Sequence, residues 1–195
     1  MEIGTATLDQ VLGMLAATVM SPAMATEIAA LSTTLATPVG FTLIDATGTP
    51  QSVTLDDSAV AAWLPPSFEF AATALGLKLL GPFPNCMLYA DPGRMQPGEG
   101  GGEFRGVGYR GFQWMINAAV FANSDKPEIA QRKARMLATC VDRLVWRTHE
   151  QRGFGQLVEF IESDGSIDES NAKPLAGHGL VAGARVRFRI ATLAP

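Results

Sequence analysis

The stretch Ala184–Leu193, ARVRFRIATL, decides the fold. Val186, Phe188 and Ile190 fall on one side of an extended chain and Arg185, Arg187 and Arg189 on the other, because successive strand side chains point to opposite faces. One face belongs to a core. The other carries a row of three guanidinium groups. Another element must cover the apolar face, and the question is which one.

Ser124–His149 supplies the cover. Ile129, Met136, Leu137, Cys140, Val141, Leu144 and Val145 form one apolar stripe, while Arg132, Lys133, Arg135, Asp142 and Arg143 lie opposite. Asp125 with Glu128 three residues on reads as a capping box, with Pro127 in the first turn. Between this helix and the last strand, residues 156–163 alternate, with Leu157 and one of Phe160 and Ile161 inward. Asp164-Gly165 then reads as a hairpin-type turn. Before the helix, Phe112–Ala122 reads as a strand buried on both faces and Asn85–Ala90 as a short apolar strand. The Gly/Pro-rich stretch 91–106, DPGRMQPGEGGGEFRG, reads as a flexible loop.

The first part of the chain reads differently. Leu8, Val11, Leu12, Leu15 and Val19 follow helical spacing, and Met24, Ile28, Leu31 and Leu35 continue it after Ser21-Pro22. This predicts either two helices or one with a break over 7–36, stopped by Pro38. Val39-Phe41-Leu43 and Val53-Leu55 alternate around ATGTP and predict a small hairpin. Residues 58–76 read as helix, capped at Ser67, packed through Phe70 and Leu75, and ended by Gly76. Helices first, then strand, loop, strand, long helix, strand, strand is an α+β order: a small antiparallel sheet backed by a long amphipathic helix, with a helical and hairpin N-terminal region. We expect one domain over 1–195, with a helix-rich part at 1–80 and the sheet-plus-helix core at 84–195.

Composition narrows the class. The chain has 195 residues, 47% hydrophobic and 17% charged, which describes a folded protein. A surface this poor in charge fits oligomerisation. Of its 19 acids, seven (Glu2, Asp9, Glu27, Asp45, Asp56, Asp57, Glu69) precede the first cation, Lys78; the other 12 share the remainder with all 15 cations. The two parts thus carry about −7 and +3, which suits head-to-tail packing of subunits. Cys86 and Cys140 read as buried thiols in a reducing compartment. Glu2 stands where a secretory signal has a basic residue, and no stretch offers the roughly 20 apolar residues of a membrane helix. A cytoplasmically made protein is expected.

GVGYRG, 106–111, formally matches G-x-G-x-x-G. A working fingerprint must open a helix, whose N-terminus receives the phosphates, whereas FQWMINAAVF favours a strand. The glycines read as loop residues at a strand start. His149 and His178 are the two histidines, with no metal-ligand spacing around them. ESDGSIDES, 162–170, misses the calcium-loop spacing and reads as a solvated turn. There is no G-x-S-x-G, and none of the Asp and Glu pairs sits in an apolar context that suggests a raised pKa. His149 reads as a residue complementing a helix C-terminus. No enzyme activity, cofactor or metal is expected.

The arginine row admits three readings. It is a phosphate-binding line, or a solvated face paired with acids of the neighbouring strand such as Glu159, or a subunit interface. The negative net charge and the lack of an accompanying aromatic platform favour the second and third. Arg185, Arg187 and Arg189, with Arg94, Glu99, Glu103 and Arg105 of the loop, are the candidate interface residues.

Residues 84–195 run in a recognisable order: PNCMLYA after a proline, a long loop, YRGFQWMINAAVFA, a helix opening SDKPEIAQRKARML, and two strands ending at ARVRFRIATLAP. This order resembles the tail-terminator or neck proteins of long-tailed bacteriophages. It covers about 110 residues, through element order, and the hairpin at 39–55 is additional to it. The resemblance implies a small antiparallel sheet with helices against it. It also implies a virion protein, assembled in the host cytoplasm as a hexameric ring. The ring caps the tail tube protein and docks to the head–tail connector or stopper, and DNA passes through its lumen unread. On this reading the loop 91–106 is an arm that orders on a partner. Another tail, baseplate or capsid-associated subunit is the alternative, and a nucleotide-binding enzyme using GVGYRG stands behind both.

Overall fold

The computed structural model describes residues 8–58, 62, 69–70, 83–91, 96–97, 112–155 and 158–192. Its helices are α1 (Leu8–Val19), α2 (Pro22–Ala36) and α3 (Pro127–Glu150). Its strands are β1 (Val39–Ile44), β2 (Pro50–Leu55), β3 (Glu69–Phe70), β4 (Asn85–Ala90), β5 (Gln96–Pro97), β6 (Phe112–Ser124), β7 (Val158–Leu175) and β8 (Gly179–Thr192). The fold is α+β, as the element order predicts.

The main sheet runs β3-β4-β6-β8-β7, with β5 pairing the start of β6. The ladders among β4, β6, β8 and β7 are antiparallel, and the two residues of β3 run parallel to β4. β6 pairs β8 over its full length, setting Ile116 opposite Phe188, Ala118 opposite Val186 and Val120 opposite Ala184. All six are buried, and α3 packs on this face. Phe188 and Ile190 therefore lie in the core while the alternate arginines face away from α3, as ARVRFRIATL requires.

Helix α3 buries Leu137, Cys140, Val141, Leu144 and Val145 as expected, but Ile129 and Met136 are only half-buried. Ala130, Ala134 and Ala138, which lie outside the expected stripe, are each 0% exposed. These small side chains, four residues apart on one helix face, let the helix backbone sit close to the sheet. The expected capping box is absent. Lys126 is the N-cap, with φ −117° and ψ 132° and no side-chain cap. Pro127 causes this, because a residue before proline is pushed into extended backbone, which moves the helix start past Asp125.

The N-terminal run is two helices whose axis bends by 50° at Met20-Ser21. Ser21 is the N-cap of α2 by position, but its hydroxyl donates to the Thr18 carbonyl at 2.6 Å and closes α1 instead. Val11, Leu15, Val19, Met24 and Ile28 join the same hydrophobic cluster as the sheet and α3. Glu27 lies among them, only 5% exposed, and accepts a hydrogen bond from Arg147 of α3. Nothing in the sequence around Glu27 marks it as buried. A buried carboxylate needs a partner, and here the partner comes from another helix.

Three further expectations change. Asp164-Gly165 is no hairpin turn. β7 continues to Leu175, the chain reverses at residues 176–178, and Gly165 sits at φ +68° inside a register shift between Ser163 and Ile167. ESDGSIDES is accordingly edge strand, not a solvated turn. The helix expected over 58–76 does not extend through Glu69–Phe70, which pair with β4 as β3. Ser67, Leu75 and Gly76 lie outside the described residues. Within the expected loop, Gln96–Pro97 pair with Phe112–Gln113, and the rest of 92–106 lies outside the described residues.

Candidate interaction surface

The sheet face turned away from α3 gathers Tyr89 from β4, Asn117 and Phe121 from β6, and Arg185, Arg187 and Arg189 from β8. The neighbouring strand β7 adds the acids. Direct cross-strand register pairs Asp168 with Arg185 and Glu162 with Arg189. Between those pairs β7 spends six residues where β8 spends four, and the bulge around Gly165 absorbs the difference. Because two extra residues preserve the alternation of faces, both acids land on the arginine side.

The contacts follow from that register. Arg185 donates to Asp168 through Nε at 3.2 Å and through a shorter bond from its terminal nitrogen. Arg187 reaches the same Asp168 oxygen at 3.7 Å, and Arg189 donates to Glu162 at 3.4 Å. Asp168 first, then the Tyr89 hydroxyl, raises the Arg185 guanidinium above its ordinary pKa. Asn117, 0% exposed, donates to Asp91 at 2.7 Å. Its Oδ1 and the Arg187 Nε are both buried without a hydrogen-bond partner, and register sets Asn117 opposite Arg187.

The row of cations is therefore largely answered within the chain. Each exposed pair of this kind contributes about 0–1 kcal/mol, whereas emptying the Phe188 site on the other face would cost about 3–5 kcal/mol. The sheet is held by its helix side more than by its ionic side. A phosphate-binding line needs uncompensated cations. Here Asp168 and Glu162 occupy them, which favours the reading of a face paired with neighbouring-strand acids. The acids are those two; the Glu159 side chain lies outside the described residues, as do Arg94, Glu99, Glu103 and Arg105.

Beside the row is a cavity of about 270 Å³ lined by Tyr89, Phe121, Asp168, Ser170, Gly183 and Arg185. A Cβ on Gly183 would come within 3.1 Å of the Phe121 ring and 2.9 Å of Ser170 Oγ, so the glycine admits both. Ser170 Oγ accepts from the Gly183 N–H at 3.0 Å and lies 3.3 Å from its carbonyl oxygen, to which it donates. That hydroxyl is committed to the ladder and is no activated nucleophile. The recess falls just below the range of about 300–1,000 Å³ usual for small-molecule sites.

The remaining candidates are placed as follows. GVGYRG lies outside the described residues, but β6 follows it directly, where a phosphate-binding fingerprint needs a helix. Among the described residues no group of three or more His, Cys, Asp or Glu could hold a metal ion. No single described helix is long and apolar enough to cross a membrane; α1 and α2 meet that length and composition only as a bent pair. Cys86 and Cys140 are free and buried. Burial pushes the Cys86 thiol well up and the Cys140 thiol to about 12, Cys140 with a smaller contribution from Glu27. His149 stands in the last turn of α3, where a cation complements the helix dipole.

These features define an α+β protein with one helix-covered sheet face and one ion-paired face. No protein-family model matches the chain, and no curated protein matches it.

Proposed function

We propose that the protein is a structural virion subunit, a tail terminator whose ring caps the tail tube of a long-tailed bacteriophage and meets the head connector. The observation that carries this reading is the arrangement of residues 85–192. Strand, strand, long helix and two strands build one sheet of order β4-β6-β8-β7 with α3 across it. That is the element order on which the resemblance rests. The ion-paired face with its small aromatic recess supports a role in association rather than in chemistry.

Mass photometry and negative-stain microscopy of the purified chain, alone and with tail tubes, test the proposal. Closed rings that seat on tube ends are expected. A protein that stays monomeric even with tubes would count decisively against it. The β1–β2 hairpin lies beyond the part covered by the resemblance, and it favours the second reading, another tail, baseplate or capsid-associated subunit. Rings that ignore tube ends would select that alternative.

A further inference from the structure

Asn117 of β6 and Arg187 of β8 stand opposite each other on the ion-paired face. Asn117 is 0% exposed. Asp91 orients its amide, because the carboxylate takes the Nδ2–H bond at 2.7 Å. A carboxylate calls for a donor, so the other end of the amide is the carbonyl oxygen, Oδ1. That oxygen is buried without a hydrogen-bond partner, and so is the Nε–H of Arg187. Buried polar groups are nearly always paired. Here one orphan is an acceptor and the other a donor. They belong to directly opposed residues, whose Cβ atoms in such a ladder lie about 4.5–5.5 Å apart. Yet they do not bond each other.

Arg187 is also held differently from its neighbours. Arg185 and Arg189 each face an acid directly across the ladder, Asp168 and Glu162. Arg187 falls opposite the shift between Ser163 and Ile167, so among the described residues none of β7 is in register with it. Its terminal nitrogen approaches Asp168 at 3.7 Å, which is an ion pair too long for a hydrogen bond. Charge anchors the far end of the guanidinium and leaves the Nε–H to be answered from β6.

Chemistry narrows what can answer it. The group must donate to Oδ1 and accept from Nε–H at once. A metal cation cannot accept, and a carboxylate or chloride cannot donate. The group must also be small, because both atoms are closed to the surface. A water molecule meets these conditions, and two polar groups left unpaired in this way are its usual site.

We propose that a buried water bridges Asn117 and Arg187, donating to Oδ1 and accepting from Nε–H. The bridge joins two segments into one polar line across the sheet. Asp91 and Asn117 form the first segment, and Arg187, Asp168 and Arg185 the second. The water sets the plane of the Arg187 guanidinium while Asp168 balances its charge. The bridge belongs to the single chain and does not depend on whether copies form a ring.

NMR of the full chain tests this. Paired NOE and ROE spectra, which separate contact from proton exchange, should show water at the Arg187 Nε–H and at the Asn117 Nδ2 protons, with the NOE sign of long-lived water. Arg187→Lys keeps a cation for Asp168 but puts a methylene where Nε was, and should abolish the water contact at Asn117. Arg185→Lys touches neither orphan and should retain it. Circular dichroism should show both variants folded, and the wild-type spectra decide alone if a variant is not. Wild-type spectra without these contacts overturn the bridge, as does a direct contact between the Arg187 Nε–H and the Asn117 side chain. Water that persists at Asn117 in Arg187→Lys, or is lost equally in both variants, also overturns it.

Discussion

Glu27 of α2 and Arg147 of α3 form an ion pair across 120 residues of chain, with the carboxylate buried and the guanidinium side chain 56% exposed. The asymmetry sets the energetics. Arg147→Ala strands a carboxylate inside the protein and should cost about 1–3 kcal/mol. Glu27→Gln keeps the shape and an acceptor and should cost less, about 1 kcal/mol or below. Chemical denaturation of both variants checks this, and equal losses would show that burial of Glu27 is not what matters.

Two glycines should respond to alanine in opposite directions. Gly13 lies in α1 with nothing within 4 Å of a Cβ, so Gly13→Ala should stabilise by about 0.5–1 kcal/mol through lower unfolded-state entropy. A Cβ on Gly183 would meet Ser170 Oγ and the Phe121 ring, so Gly183→Ala should destabilise by about 1–3 kcal/mol. Thermal melting reads both signs directly.

Burial of Cys140 predicts an alkaline weakness. Its folded pKa is raised to about 12 from 9.0, chiefly by desolvation. The unfolded thiol ionises above pH 9 while the folded one stays neutral. Stability is therefore full below pH 9 and falls as pH rises toward 12, by up to about 1.4 kcal/mol per pH unit for each such group. Cys140→Ala should flatten that slope in urea titrations from pH 8 to 11, and an unchanged slope would refute the assignment. Native Cys140 should also resist alkylation at pH 8 and react once unfolded.

Asp168 is the shared counter-charge of Arg185 and Arg187. Asp168→Asn should lower stability by no more than about 1 kcal/mol, because the pairs are exposed. It should also give the chain weak, strongly salt-dependent binding to duplex DNA that the wild type lacks. Fluorescence anisotropy at low salt reads this. Equal binding by wild type and variant would mean that the arginines are not neutralised by Asp168.

The hairpin turn makes an acid-range prediction. Asp45 accepts from Thr47 Oγ1, the Thr49 N–H, Gln51 Nε2 at 3.1 Å and the Thr47 N–H, and these bonds hold its carboxyl well below the usual range. A depressed folded pKa means that the turn's stabilisation is present above the unfolded value of 3.8 and is lost as pH falls through the folded one. The Thr47 and Thr49 amide resonances should keep their pH 7 positions through pH 4. Movement between pH 5 and 4 would show an ordinary carboxyl.

The parts of the fold legible in sequence are those with one buried face and a clear period. β8 shows two-residue alternation and α3 shows a helical stripe, and both stand where expected. β7 was legible only at its start, because past Ile161 it runs along an edge and buries little. A strand with few buried positions has no period to read, and Asp164-Gly165 in its middle carries turn chemistry. The same blindness touched the surface. The arginine row was visible in the sequence, but Asp168 and Glu162 could not be assigned to it until β7 was known to be a strand. Glu27 gave no sign of burial, since its partner lies in a helix far along the chain.

The bulged strand β7 has one more consequence. Among the described residues the sheet ends at β3, two residues long, on one side and at β7 on the other. β7 is interrupted by three register shifts and bears Glu162, Asp168, Glu169 and Lys173. Among the described residues neither margin offers a long straight run of backbone for another sheet to extend. Copies crowded together at high local concentration are steered away from ribbons and fibres. Any association of copies is left to side chains, which can encode an angle and a stopping point as a bare backbone edge cannot.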